Sequence, residues 1–353
     1  MNWRSRAHSR ARSDDQMSAL AIAPPPNDAD DETKRLQADS DAVGAAQDSE
    51  IFANYAPTHA NPGPPHPGDV AEAASLAATA APSTTYEVIE VLRTGGTLSN
   101  LQLECVQLAS QRHLTVLPMQ PPTRCGFFLG DGAGVGKGRQ LAGIILDNLA
   151  RGRSKHLWFS SSADLKHDAV RDLSDLGCHL PVHDGCQGLD RGSKGLGLST
   201  EMTRGVLFST YATLVSATTA QKQSGKSRLR QLVEWCGGPD FEGCLMLDEC
   251  HKAKNFQPGK EDASSKVAQA VIELQRALPM ARVVYCSATG ASDLSNMAYM
   301  ERLGLWGPFS AFATFEAFTE GVKNRGVGGL EMLAMEMKAS SPLMSTDGPL
   351  MGL

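Results

Sequence analysis

No apolar run in this 353-residue chain reaches the roughly 18 residues that a bilayer-spanning helix needs. The arginine-rich start, "MNWRSRAHSRARS", lacks the apolar core of a secretory signal. The eight cysteines include no C-x-x-C pair and lie largely inside apolar runs. That pattern argues against a zinc site or a disulfide frame and for reduced core residues of an intracellular protein. A dominant charge is missing too. The formal net charge is −6, and setting aside one acidic stretch leaves the rest close to neutral, so any nucleic-acid contact has to be local.

The first 85 residues also lack the means to build a core. Residues 1–13 hold four arginines and no acid, residues 14–50 hold ten acids against one Lys and one Arg, and residues 51–85 are rich in Ala and Pro. Such compositions bury too little apolar area to offset the entropy of ordering the chain, so 1–85 is expected to be a mostly disordered extension. Its basic start reads as a nuclear address, a transit peptide or a solvated tail.

What is present begins at about residue 86, where some 250 residues of mixed apolar and charged sequence suffice for one sizeable core. Short apolar runs recur: "GFFL" at 126–129, "HLWFS" at 156–160, "VLFST" at 206–210, "CLMLD" at 244–248 and "RVVYCS" at 282–287. These are buried-strand signatures. Between them lie amphipathic stretches such as "RQLAGIILDNLARG", "ADLKHDAVRDLSDLG" and "SSKVAQAVIELQRAL". Strands alternating with helices predict an α/β domain with a mainly parallel sheet flanked by helices, and ligands at the carboxyl ends of its strands. The aperiodic, Gly-rich segment 184–205 is expected to be a surface loop.

Chemistry-bearing residues do follow the strands. After "GFFL" comes "GDGAGVGKGR", 130–139, leading into a helix. Glycines let several backbone N–H groups converge on one phosphate, the helix amino end adds partial positive charge, and Lys137 supplies a point charge. The strict phosphate-loop pattern fails twice, at Asp131 in place of its first Gly and at Gly138 in place of Ser or Thr. After "CLMLD" the chain reads Asp248-Glu249-Cys250-His251, where a strand-end Asp suits magnesium and the adjacent Glu suits the attacking water. A third strand ends in Ser287-Ala288-Thr289.

In this order the three segments resemble motifs I, II and III of the superfamily 2 helicases and translocases. The longer stretches "GDGAGVGKGR", "LDECHKAKN", "ARVVYCSATGASDLSNMAYMERLGLWG" and "RGVGGLEMLAMEMK" resemble the strawberry notch family, over roughly Phe52 through Lys338. The resemblance implies a RecA-like P-loop NTPase lobe that takes ATP and Mg2+. It implies that Lys137 and the amides of Gly132, Gly134, Gly136, Gly138 and Arg139 hold phosphates, Asp248 the magnesium and Glu249 the water. His251 would couple that site to Ser287, Ala288 and Thr289. Gln102 resembles an adenine-reading glutamine, with a solvated helix residue as the alternative. Ser160, Ser161, Ser162, Ser209, Thr210 and Tyr211 occupy positions that contact a nucleic-acid backbone in relatives, and Lys166, Lys252 and Lys254 add charge there. The resembling family shares the GKGR sequence, which makes Gly138 that family's variant, with magnesium held by Asp248 and water.

The same resemblance implies a nuclear regulator of transcription and chromatin whose partners are nucleic acid or chromatin, DNA ahead of RNA, and proteins of those pathways, with no membrane role. After Lys338 the chain leaves the family pattern in the tail 339–353, "ASSPLMSTDGPLMGL". Without a second lobe, the expectation is weak ATP binding, poor hydrolysis and no translocation. The alternative is a non-enzymatic scaffold that uses the lobe to bind protein partners.

Overall fold

The computed structural model describes residues 52–55, 57, 63–79, 84–132, 134–185, 189, 202–216, 227–287 and 294–339. Along the chain, β1 (Phe52–Asn54) and β2 (Ala71–Ala73) form an antiparallel hairpin that runs into the short α1 (Ala74–Ala77). Next come α2 (Glu90–Thr94), α3 (Asn100–Arg112) and a second small pair, β3 (Val116–Leu117) with β4 (Thr123–Arg124). The main alternation follows: β5 (Phe127–Leu129), α4 (Lys137–Ala150), β6 (Lys155–Ser160), α5 (Leu165–Asp175) and β7 (Val182–Asp184). It continues through β8 (Gly205–Thr210), α6 (Tyr211–Val215), α7 (Arg228–Cys236), β9 (Cys244–Asp248), α8 (Lys266–Ala277) and β10 (Arg282–Cys286). Two helices, α9 (Phe315–Lys323) and α10 (Val327–Ala339), close the described chain.

The six-stranded sheet has the order β5-β10-β9-β6-β8-β7, with every pair parallel, as the expected α/β class requires. Alternation along each strand divides the core. Leu157 and Phe159 of β6, with Leu245 and Leu247 of β9, enter a layer under α6, α7, α8 and α9. Trp158, Cys244 and Met246 enter the opposite layer, under α3, α4 and α5. Both faces are covered, which is why these strands read as continuous apolar runs. The strand that leads into the phosphate loop lies at the sheet edge, with β10 between it and β9. This is the RecA-like arrangement expected from the three motifs.

Helix starts are marked locally: the side chains of Ser227, Ser265 and Thr314 each accept the backbone N–H three residues on. Part of the stretch expected to be mostly disordered, 52–55 and 63–79, carries the hairpin and α1. Long-range ties hold it. Lys338 donates to Glu72 (2.8 Å) and to the Leu76 carbonyl (2.6 Å), and the Tyr55 hydroxyl donates to the buried Glu104. Segment 184–205 lies largely outside the described residues. Seven cysteines are buried and free; Cys186 lies outside the described residues.

Candidate nucleotide site

Register brings the motifs together before any side chain is considered. Cys286 of β10 pairs with Leu129 of β5 on one side and with Asp248 of β9 on the other. Ser160 of β6 pairs with Thr210 of β8. The ends of five strands therefore form one row along the carboxyl edge of the sheet.

Beyond Leu129 the chain turns through Gly134 (φ +89°) and Gly136 (φ +81°), left-handed positions that glycine adopts without strain. No side-chain hydrogen bond caps the start of α4, and an uncapped helix start is a fitting place for an anion. Lys137 folds over the loop, donating from Nζ to the carbonyls of Asp131 (3.0 Å) and Gly132 (2.9 Å). Asp131 is braced from the helix by Gln140, whose Nε2 donates to Oδ2 at 2.9 Å. Burial pushes the Asp131 carboxyl above its ordinary value, against the Gln140 bond and the Lys137 charge. Arg139 turns away from the loop, to Asp175 Oδ2 (2.6 Å) and the Thr97 carbonyl (3.1 Å).

At the end of β9 the Asp248 carboxylate accepts the Ser160 hydroxyl at Oδ2 and the Glu249 N–H at Oδ1, both at 3.0 Å. Burial raises its pKa and the Ser160 bond opposes the rise. Glu249 has φ +50° and ψ +44°; among the described residues no other non-glycine has positive φ. Its Oε2 lies 3.3 Å from His251 Nδ1, which is also 3.1 Å from Ser287 Oγ. Two tyrosine hydroxyls reach the same segment from outside it: Tyr211 donates to the Asp248 carbonyl (2.8 Å) and Tyr299 to the Cys250 carbonyl (2.7 Å).

These residues fit a magnesium–nucleotide pair. Asp248 is a partly desolvated carboxylate with hydroxyl and amide donors, and it forms no ion pair with a Lys or Arg among the described residues. Among the described residues no group of three His, Cys, Asp or Glu is gathered to hold a metal without help. A hard cation that keeps several waters and takes its other ligands from phosphate suits one such carboxylate.

Residues 65–346 match the family described as P-loop containing NTP hydrolase pore-1. The chain belongs to this family. FORGETTER 1 of Arabidopsis thaliana is 45% identical over 88% of the chain and 23% of its own length. Strawberry notch of Drosophila melanogaster is 47% identical over 86% of the chain and 18% of its own. Human strawberry notch homolog 2 is 46% identical over 83% of the chain and 20% of its own. The chain thus spans about a fifth of these relatives. The SWI2/SNF2 ATPase core of Sulfolobus solfataricus is 15% identical, covering 72% of this chain and 44% of that one, with a TM-score of 0.41.

Within this P-loop NTP hydrolase domain, Gly132, Gly134, Gly136, Lys137, Gly138 and Arg139 lie in the loop before α4 and in its first turn, and Asp248, Glu249, His251 and Ser287 meet at the neighbouring strand ends. Ala288 and Thr289 lie outside the described residues. Gln102 is buried rather than solvated: its amide takes the Ser99 N–H (3.1 Å) in a capping box and donates to the Val135 carbonyl (3.0 Å), clamping the loop. Ser160 and Tyr211 are buried and hydrogen-bond to Asp248, and Ser209 is buried with no hydrogen-bond partner at Oγ among the described residues. Thr210 is half-buried and caps α6 through the Thr213 N–H (3.2 Å). Ser161, Ser162, Lys252 and Lys254 are exposed, while Lys166 pairs with Asp184 at 3.3 Å.

The sequence also concealed neighbours of these segments. Asp172 of α5 is one: a Cβ on Gly138 would stand 2.1 Å from its Oδ2. Tyr299 is another, since a tyrosine in "NMAYMERLG" carries no local sign of a contact 49 residues away.

Proposed function

We propose that this chain is the ATP·Mg2+-binding lobe of a helicase-related regulator of transcription and chromatin that acts on DNA in the nucleus. The observation that carries the nucleotide part is the convergence of Lys137, the uncapped start of α4 and the Asp248–Glu249 pair at one edge of the sheet. Lys137 exchanges its two loop carbonyls for β- and γ-phosphate oxygens, and the α4 amides receive the remaining charge. Magnesium, when bound, neutralises charge on those phosphates, and Asp248 anchors it. Glu249 orients the attacking water and accepts its proton as the bond to the γ-phosphorus forms and the bond from that phosphorus to the β,γ-bridging oxygen breaks, releasing ADP and phosphate. His251, between Glu249 and Ser287, relays the state of that site to the end of β10.

An arginine supplied by a facing lobe contributes on the order of 10³ to 10⁵ in rate to such chemistry. Arg139 is engaged with Asp175 and Thr97, so the lobe alone is expected to turn ATP over slowly. The DNA and nuclear parts rest on the family resemblance, with Ser161, Ser162, Lys252 and Lys254 as exposed backbone contacts of no sequence preference. The test is ATP·Mg2+ titration with Lys137→Ala and Glu249→Gln. Lys137→Ala should weaken binding at least tenfold, while Glu249→Gln should keep binding and lose turnover. Unchanged affinity in Lys137→Ala would sink the nucleotide role.

A further inference from the structure

We propose that Tyr211 and Tyr299 are positioning residues that hold Glu249 in its left-handed conformation and so aim its carboxylate. The inference rests on the reading of Glu249 as the carboxylate that handles the attacking water. A non-glycine residue at φ +50°, ψ +44° persists only where its surroundings over-determine it. Here they do so from three sides. The peptide before Glu249 is fixed by the Tyr211 hydroxyl on the Asp248 carbonyl, and the Cys250 carbonyl is fixed by the Tyr299 hydroxyl. The Glu249 N–H between them is taken by Asp248 Oδ1.

Neither phenol belongs to the segment it grips. Tyr211 opens α6 directly after β8, and Tyr299 lies in the chain after β10, between two short 3-10 turns. Both are buried, and burial raises both pKa values, so each stays a hydroxyl donor. Ring packing fixes their aim: Tyr211 tilts against Phe159 with centroids 6.2 Å apart, and Tyr299 meets Tyr285 edge-on at 6.0 Å. Replacing either by Phe keeps the ring and deletes only the grip on the carbonyl.

Two measurements on the full chain decide the matter. In the pair Tyr211→Phe with Tyr299→Phe, amide hydrogen exchange across 248–251 should accelerate at least tenfold while exchange in α4 stays at the wild-type rate. Turnover at saturating ATP should fall about tenfold with ATP affinity within twofold, and the same pair should cause no further loss in a Glu249→Gln background. Wild-type exchange across 248–251 in the Phe pair would overturn the proposal, and so would an equal fractional loss of turnover in both backgrounds. If Glu249→Gln turns over like wild type, the assigned role of Glu249 fails instead, and the exchange data still decide whether the phenols hold the segment.

Discussion

Gly138 looks at first like a phosphate loop that has lost a metal ligand, and its surroundings give a different reason for the glycine. The place where a side chain would start is already taken by the buried carboxylate of Asp172, 2.1 Å from an ideal Cβ. Burial raises the Asp172 pKa, with Arg171 holding the other oxygen at 3.1 Å. A neighbouring position is fixed the same way: a Cβ on Gly136 would meet Gln102 Nε2 at 2.4 Å, and the Gln102 clamp on Val135 depends on that approach. Gly138→Thr should therefore cost stability, about 1–3 kcal/mol for overpacking a filled site, without tightening metal-dependent ATP binding. Thermal unfolding of Gly138→Thr, alone and with Asp172→Ala, checks this: the cost should largely disappear in the double variant. A stable Gly138→Thr with severalfold tighter ATP·Mg2+ binding would show that a loop hydroxyl was wanted after all.

Among the elements, α8 shows how a helix end can depend on a residue far along the chain. Its last turn and the following residues leave carbonyls in the core, and the Arg302 guanidinium collects them: Gln275, Leu278 (2.7 Å), Pro279 (3.2 Å) and Ala281 (3.0 Å). Burial draws the arginine pKa down to about 10, so it remains charged. Three of these carbonyls also accept a backbone N–H, so Arg302 adds charge-assisted bonds rather than their sole partner. Arg302→Met should still destabilise by more than about 3 kcal/mol, since a hydrogen bond to a charged group contributes about 1.5–3 kcal/mol; urea titration gives the number, and a loss under about 1 kcal/mol would mean that water replaces the cap. Contacts of this kind explain what sequence alone conveys. Strands β5, β6, β8, β9 and β10 and the helices between them were legible because each of these strands carries a run of at least three apolar residues, which is a local signal. β7 (VHD) and the β1–β2 hairpin (FAN and AEA) were not, because they carry no such run and their pairing is decided by partners elsewhere in the chain. The phosphate loop and the Asp248–Glu249 pair were legible as contiguous motifs. The inward turn of Tyr211 was not, because it depends on α6 beginning at that residue.

At the scale of the whole molecule, two buried histidines act as neutral rings, one tying the end of α3 to β10 and the other tying β6 to β9, and this predicts how the fold responds to acid. His113 Nε2 lies 3.1 Å from the Val283 carbonyl, so it carries the proton, and its Nδ1 has no partner among the described residues. His156 Nδ1 accepts the Cys244 N–H at 3.1 Å, so that nitrogen is bare. A second proton would find no acceptor in the first ring and would face a donor in the second. Burial accordingly lowers both pKa values to about 3. Against an unfolded value near 6.5, the unfolded chain binds more protons throughout the interval, so stability falls as pH drops below about 6.5 and continues to fall toward 3. Between pH 7 and pH 5 each ring should withdraw about 2 kcal/mol. Asp131, Asp172 and Asp248 work in the opposite sense, since burial raises their pKa values and protonating them favours the folded state. Their contribution enters as pH approaches those raised values and flattens the acid end of the curve. Denaturant midpoints measured at pH 7, 6 and 5 should therefore show a steep loss that becomes about half as steep in His113→Gln or His156→Gln, whatever the absolute stability of the variant. A slope unchanged by both substitutions would mean that these rings take up protons in the folded protein, and that the core around β10 and β9 admits water.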